Sequence, residues 1–264
     1  MKIVSFFVCI LTLMITTLSA DTKGNYKMSK YFGFKCYDFV HEGRKASVVV
    51  PENPRSDKAW IVRPAFFRAF PNGDIELVKR GFYLTYFDVT HDYGRVQARK
   101  LMDSFYSFMT TSQWALNKKV VIEGLSRGGA FALMWANDDP SKLACVYADN
   151  PVCDFREWPV KKEPKLIPDF RAKWNLKEGE ELTFNKNPFD NLETLAKSKV
   201  PVLMIYGDKD NTVPFEKHGK IYQQRFLDAG GNIQLICRKG AKHHPHGLKD
   251  PKPIIDFIEK AYSK

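Results

Sequence analysis

The chain has 264 residues, of which 44% are hydrophobic and 14% aromatic, which is enough for a sizeable core in one large or two small domains. Its net charge of +11 would suit a nucleic-acid partner, but lysines and arginines are scattered among acidic residues. Since no nucleic-acid-binding motif accompanies them, a solvated basic surface that weakly favours acidic or polymeric substrates is the better interpretation.

The first twenty residues are typical of a secretory signal peptide. Lys2 provides a positive start, residues 3–18 are almost wholly apolar, and small residues end the segment at Ala20. The alternative, an uncleaved membrane anchor, is disfavoured because the apolar run is short and has no flanking charge behind it. We therefore expect cleavage after Ala20 and a soluble mature protein, residues 21–264, that is secreted or periplasmic.

After a polar segment that extends to about Lys30, the mature chain forms a predicted hairpin and then alternates strands and helices. The predicted strands are residues 34–40, 45–50, 59–66, 82–89, 120–122, 143–147, 200–206 and 233–237. The predicted helices are residues 74–80, 96–114, a segment opening at Gly129, 215–229 and 252–262. This order predicts an α/β fold with a mostly parallel central sheet, flanked by helices and extended by one antiparallel edge hairpin.

Residues 153–198 interrupt this alternation. The segment is rich in Lys, Glu, Pro and aromatic residues, and it is too long for a simple connection and too short for a domain. We interpret it as a cap or lid inserted over the active edge of the sheet. The alternative is a surface excursion with one or two short helices.

Residues 119–137 carry the motif around which the chain is organised. A buried strand, the turn GLSRG at residues 124–128 and a helix form the G-x-S-x-G pattern, which exposes a serine oxygen on a strained turn. The glycines are needed because a side chain there would collide where the helix leaves the strand. The motif is short, so alone it is equally compatible with an incidental serine in a glycine-rich connection.

A nucleophilic Ser126 requires a base and an orienting acid, which should follow in the order serine, acid, histidine. The loop after strand 200–206 offers two acids, and we favour Asp210, with Asp208 shaping the loop. Alternatively, both acids cap the next helix.

The loop after strand 233–237 offers His243, His244 and His246, and the Gly-x-x-His spacing favours His243 as the base. Three close histidines are also a ligand-like cluster. However, the sequence His-His-Pro-His is poorly suited to aim three imidazoles at one ion, and no acidic or cysteine partner is evident nearby. We therefore expect no metal and no cofactor.

Acyl transfer also needs hydrogen-bond donors for the developing oxyanion. The amide of Arg127, directly after the nucleophile, is one candidate. The second should come from the loop after strand 59–66, where Pro64 has no N–H, and we choose Phe66 over its neighbours Ala65 and Phe67. The candidate substrate-binding residues are Arg63, Phe67, Asp149, Trp158 and His246. Their structural alternatives are a salt bridge for Arg63, a turn into Pro151 for Asp149, and apolar packing for Trp158.

Four cysteines follow the signal peptide. Cys145 and Cys237 fall in predicted buried strands and are interpreted as small core residues, while a bridge involving Cys36 or Cys153 stays open.

Taken together, these motifs resemble the α/β-hydrolase superfamily over nearly the whole mature chain. More narrowly, the segments at residues 60–63, 124–129, 149–152 and 243–248 are similar to a family of exported bacterial α/β hydrolases that often accompany polysaccharide breakdown. The resemblance implies a serine esterase acting on a carbohydrate-linked or other small ester, whose cap aromatics either stack on sugar rings or pack onto the sheet. The alternatives are a peptidase or lipase on the same triad, or a non-catalytic glycan-binding protein. The sequence indicates no oligomeric state.

Overall fold

The structure is a computed structural model and describes residues 26–263. The predicted signal peptide and its cleavage after Ala20 lie outside the described residues. Within 26–263, no helix combines the length and the apolar character that a bilayer crossing requires.

In the described part of the chain, nine strands form one mixed sheet in the order β1-β2-β3-β5-β4-β6-β7-β8-β9. The first three strands and the β3–β5 pair are antiparallel, and all other neighbours are parallel. The strands are β1 (Lys27–Tyr31), β2 (Phe34–His41), β3 (Arg44–Val50), β4 (Trp60–Arg63), β5 (Tyr83–Phe87), β6 (Val120–Leu125), β7 (Leu143–Asp149), β8 (Val202–Gly207) and β9 (Ile233–Arg238). The predicted α/β-hydrolase fold is confirmed.

Helices cover both faces of the sheet because the central strands are apolar on both sides. Two clusters of buried apolar side chains result, one on each face of the sheet. In β6, Val120 and Ile122 belong to the cluster on the first face, and Val121 belongs to the cluster on the second. Helices α2, α3 and α6 pack on the first face, and α1 and α7 on the second. The helices are α1 (Asn72–Lys79), α2 (Val96–Thr111), α3 (Arg127–Asp138), α4 (Ile167–Trp174), α5 (Glu193–Lys197), α6 (Gly219–Asp228) and α7 (Lys252–Tyr262).

Three local predictions were wrong. The polar segment before residue 31 forms strand β1, paired along its whole length with β2. The predicted strand 59–66 ends at Arg63, and a loop with positive φ at Phe66, Arg68 and Phe70 follows. Cys237 is exposed rather than buried, because β9 is the edge strand of the sheet. The four cysteines within the described chain are all free thiols.

Residues 153–198 contain α4, α5 and several single helical turns. Their aromatic side chains form a third apolar cluster, in which Phe155, Phe170 and Phe184 are buried together. Residues of the body also belong to this cluster, among them Tyr93 from the loop before α2 and Met134 from α3. The segment therefore packs onto the body of the molecule through its own small core.

Candidate active site

The turn between β6 and α3 is a strained nucleophile elbow. Ser126 is the single residue between strand and helix, and its φ of 51° lies in the left-handed region that side chains rarely adopt. A Cβ on Gly124 would lie 2.4 Å from the carbonyl oxygen of Gly128, and one on Gly129 would lie 2.6 Å from Cβ of Pro151. Glycine is therefore required sterically at both positions, and the turn holds the serine at the carboxyl edge of the sheet.

Ser126, His243 and Asp210 lie in one hydrogen-bonded chain, although 117 residues separate the serine from the histidine. Oγ of Ser126 is 3.0 Å from Nε2 of His243, and Nδ1 of His243 is 2.6 Å from Oδ2 of Asp210. Because an ionised carboxylate only accepts, Nδ1 is the protonated nitrogen and Nε2 is left to accept the serine proton. All three side chains are at least nine-tenths buried.

Asp210 is held in its ionised form. Burial alone would raise its pKa, but hydrogen bonds from His243 and from the amides of Val213 and Thr212 lower the pKa below the usual value. Asp208 instead accepts a hydrogen bond of 2.6 Å from the Gly240 amide. Asp208 thus ties the loop that carries the acid to the loop that carries the histidine.

The proposed oxyanion donors lie on two neighbouring segments. A Cβ on Gly128 would come within 2.9 Å of Cβ of Ala65, so the loop after β4 lies against the start of α3. The Arg127 guanidinium also sits 5.2 Å from the centre of the Phe66 ring. The amide of Arg127 opens α3, where the positive end of the helix dipole favours a developing negative charge.

Two side chains at the end of β7 hold the histidine loop in place. Asp149 is fully buried and accepts hydrogen bonds from Nδ1 of His246 at 2.7 Å and from the Gly247 amide at 2.8 Å. Asn150 donates to the carbonyl of His243 at 3.1 Å and accepts from the Gly207 amide at 2.8 Å. The prediction that Asp149 binds substrate was therefore wrong, because its carboxylate is enclosed by these donors. Asn150 joins the loops that carry the base and the acid.

Arg63 does not reach substrate either. Its side chain is fully buried, and Nη1 lies 2.5 Å from Oδ2 of Asp74 while Nε lies 3.8 Å from Glu123. Tyr31 donates a further hydrogen bond of 2.8 Å to the same Asp74 oxygen. The salt-bridge alternative therefore holds for Arg63, and the prediction that it binds substrate was wrong.

The aromatic candidates pack within the protein. The Phe67 ring stacks between Tyr31 and Tyr86, at centroid distances of 5.0 and 4.9 Å. Trp158 is only 7% exposed and lies in the apolar cluster of the cap. Substrate contact by Trp158 was therefore a wrong prediction, whereas contact by the partly exposed Phe67 stays a prediction. The surface that His246 can offer to a substrate is small as well, because this residue is 7% exposed and its ring is hydrogen-bonded to Asp149.

A pocket of about 290 Å³ opens beside the triad histidine. It is lined by polar and basic side chains: Lys209, Asn211, Thr212, Lys242, His243 and His244. The sequence motifs do not single out the four non-histidine residues, although these directly flank the predicted acid and base.

His218 is a further buried histidine, and no sequence motif singles it out. Its Nδ1 accepts hydrogen bonds of 3.1 Å from the amides of Cys153 and Asp154, where the cap begins. Burial lowers the pKa of His218 to about 4, so the ring is neutral at pH 7. No local pattern distinguishes it, because its partners lie more than 60 residues away.

The fold and this site define an α/β hydrolase with a serine nucleophile elbow. Residues 85–263, about two thirds of the chain, match the model of the prolyl oligopeptidase family (Peptidase_S9), and the chain belongs to that family. No curated protein matches the sequence.

Solved structures share the fold at low sequence identity. A putative dipeptidyl aminopeptidase IV from Bacteroides ovatus is 16% identical with a TM-score of 0.64, over 89% of this chain and 36% of its own. The dipeptidyl peptidase 4 of Porphyromonas gingivalis is 12% identical with a TM-score of 0.63, and the match covers 91% of this chain and 35% of that protein. An S-formylglutathione hydrolase from Agrobacterium tumefaciens is 13% identical with a TM-score of 0.57, and the match covers 90% of this chain and 96% of that protein. The chain thus spans about a third of the length of the two peptidases.

Proposed function

We propose that the protein is a serine hydrolase that cleaves carboxylic esters through an acyl-enzyme. The observation that carries this proposal is the His243 imidazole, which bridges Ser126 at 3.0 Å and Asp210 at 2.6 Å. These distances allow a proton to pass from the hydroxyl to the ring while the carboxylate holds the ring in the required tautomer.

The reaction follows from these positions. Oγ of Ser126 attacks the ester carbonyl as its proton moves to Nε2 of His243, and Asp210 stabilises the imidazolium. The amides of Arg127 and Phe66 donate to the oxyanion. When the tetrahedral intermediate collapses, Nε2 returns the proton to the leaving alcohol. Water then attacks the acyl-enzyme by the same proton transfers and releases the acid.

We further propose that the alcohol is a carbohydrate. The sequence motifs that resemble a polysaccharide-associated family support this substrate class. The pocket beside His243 adds to the argument, because Asn211, Thr212 and the two lysines offer hydrogen bonds to hydroxyl groups. A lipid ester would instead require a broad apolar entrance. The buried cap aromatics do not contribute to this argument.

Labelling with a fluorophosphonate probe tests the catalytic proposal. The wild-type protein should be labelled at Ser126 and the Ser126→Ala variant should not. An unlabelled wild-type protein would favour the alternative of a non-catalytic glycan-binding protein. Release of acetate or aryl acids from plant-polysaccharide esters and from synthetic esters then tests the substrate class.

A peptidase is the second candidate, and membership of the prolyl oligopeptidase family favours it. The same triad can cleave an amide, since His243 can protonate an amine leaving group as it does an alcohol. Matched ester and anilide substrates that share one acyl group would separate the two activities. A kcat/KM for the anilide equal to or above that of the ester would replace the esterase proposal.

Export is a further proposal, supported by the apolar segment at residues 3–18. N-terminal sequencing of protein from a secreting host should find Asp21 as the first residue. A protein that retains Met1 would contradict it.

A further inference from the structure

The three histidines of the loop after β9 converge on one point. Each offers one ring nitrogen, and these nitrogens all lie within 4.8 Å of one another. The ring centres are 4.7 Å apart for His243 and His244, 4.9 Å for His243 and His246, and 5.1 Å for His244 and His246. The expectation that His-His-Pro-His is poorly suited to aim three imidazoles at one ion was therefore wrong.

Two of the rings are oriented as metal ligands are. His243 and His246 each use Nδ1 to donate to a buried carboxylate, Asp210 in one case and Asp149 in the other. In metalloproteins, a carboxylate on the far nitrogen fixes the tautomer and makes the other nitrogen a better ligand. This bonding leaves Nε2 as the nitrogen that carries a lone pair in both rings, and the exposed ring of His244 lies beside them.

We propose that His243, His244 and His246 form a binding site for a divalent transition-metal ion such as Zn²⁺, and that the bound ion inhibits the enzyme. Three neutral imidazoles suit zinc, nickel or copper rather than magnesium or calcium, which prefer oxygen ligands. Zn–N bonds of about 2.1 Å place tetrahedral ligand nitrogens about 3.4 Å apart. The nitrogens must therefore move closer by up to about 1.4 Å, and the exposed His244 is the ring with the most freedom to move.

Inhibition follows from the one lone pair on Nε2 of His243. In the resting triad this lone pair accepts the hydrogen bond from Ser126. When the lone pair forms a bond to the metal, the hydrogen bond breaks and Ser126 keeps its proton. The bond between Nδ1 and Asp210 is preserved. No covalent bond is made or broken in the protein. A chelator that removes the metal should therefore restore His243 as the general base.

The local charges permit a cation despite the basic surface. Lys209 and Lys242 line the adjacent pocket and oppose a cation. The carboxylate of Asp210 lies directly behind the His243 ring and offsets part of this repulsion, whereas Asp149, behind His246, is already paired with Arg238 at 3.4 Å. The lysines repel all divalent cations alike, so selection for ions that bind imidazole strongly comes from the three nitrogen ligands.

Calorimetric titration of the mature protein with ZnCl₂ tests the site itself. The wild-type protein should bind one equivalent, and Mg²⁺ should not bind. The His244→Ala variant should bind Zn²⁺ at least about tenfold more weakly, since even an outer-shell change costs about 10- to 100-fold in metal affinity. His91→Ala, which removes an exposed imidazole from another loop, is the matched control and should bind as the wild type does. Equal Zn²⁺ affinity in His244→Ala and the wild type would overturn the proposal.

Fluorophosphonate labelling tests the inhibition, and this second experiment rests on the proposed function. Saturating Zn²⁺ should slow labelling of Ser126 at least about tenfold, and excess chelator should restore it. His244→Ala, compared with its own metal-free rate, should lose most of this inhibition. Undiminished labelling of a zinc-saturated wild type would refute the inhibition. A wild type that never labels would refute the proposed function, while calorimetry would still decide the metal site.

Discussion

The histidine loop depends on a small number of long-range hydrogen bonds to single side chains. Asn150 is the clearest example, because its amide group bonds both the His243 carbonyl and the Gly207 amide. It does not face the reacting atoms, so it acts as a positioning residue. Its φ of 42° is one that asparagine and glycine tolerate better than alanine.

We expect Asn150→Ala to lower kcat by about 100-fold while KM stays within about twofold, because misplacing a base by about 1 Å has an effect of that size. Asn150→Gly separates the loss of the side-chain hydrogen bonds from the strain of a positive φ, since glycine accepts the positive φ but cannot make the hydrogen bonds. Steady-state kinetics on a synthetic ester would measure both variants. Full activity in Asn150→Gly would show that backbone conformation, rather than the side-chain bonds, is what matters.

His218 predicts a pH dependence of stability. Its pKa of about 4 in the folded protein lies below the value of about 6.5 expected in the unfolded chain. The unfolded state therefore binds more protons between these values, and folding stability falls as the pH is lowered from about 6.5 to about 4. The expected loss from this group is about 3 kcal/mol, following from about 1.4 kcal/mol per pKa unit.

Denaturant unfolding of the wild type and His218→Asn at pH 7, 5.5 and 4 would measure this loss. Asparagine can place an acceptor near the position of Nδ1 but does not titrate, so the variant should show a shallower decline. Since the other acidic residues are common to both proteins, the difference between the curves isolates His218. Parallel curves would contradict the assignment.

At the scale of elements, the elbow depends on close contact between β6 and α3. We expect Gly124→Ala to lower the free energy of unfolding by about 1–3 kcal/mol or more, because its Cβ would overlap the backbone of Gly128 and Gly129. Displacement of Ser126 should also abolish fluorophosphonate labelling.

Gly73→Ala is the matched control for this substitution. A Cβ there would meet no atom within 4 Å, and the residue lies in α1. This variant should be as stable as the wild type or more stable by about 0.4–1 kcal/mol. Equal effects of the two substitutions in chemical unfolding would refute the steric argument.

At the scale of the whole molecule, the cap and the body share one apolar cluster. Phe170 is fully buried against cap residues and against Tyr93 of the body. We expect Phe170→Ala to lower the free energy of unfolding by about 3–5 kcal/mol within a single cooperative transition. Leu182→Ala, at a residue of the same segment that is 62% exposed, should change it by less than about 0.5 kcal/mol.

Calorimetry and tryptophan fluorescence would follow these transitions together, since Trp158 and Trp174 report on the cap and Trp60 and Trp135 on the body. A separate low-temperature transition in Phe170→Ala would show that the cap unfolds independently of the sheet.

The fold was predictable because its determinants are local. Apolar runs of strand length, separated by segments with helical spacing, indicate a parallel sheet whichever residues they later meet. The strand that was missed, β1, is short, mostly exposed and without an apolar run, so it is recognisable only through its pairing with β2. The end of β4 was misplaced because the apolar run continues into the loop that carries Phe66.

By itself, the sequence determined the elbow around Ser126 and the chain order of Asp210 and His243, since strand-end placement and turn sterics depend on neighbouring residues. Only the tertiary structure decided which polar residues face inward. Arg63 meets Asp74 and Glu123, and Asp149 meets His246, across 11 to 97 residues of chain. Burying a charge without a partner is unfavourable, so these side chains are paired with distant residues. A local sequence pattern does not indicate which residues these are. The same long-range packing brings three imidazoles of one loop to a single point.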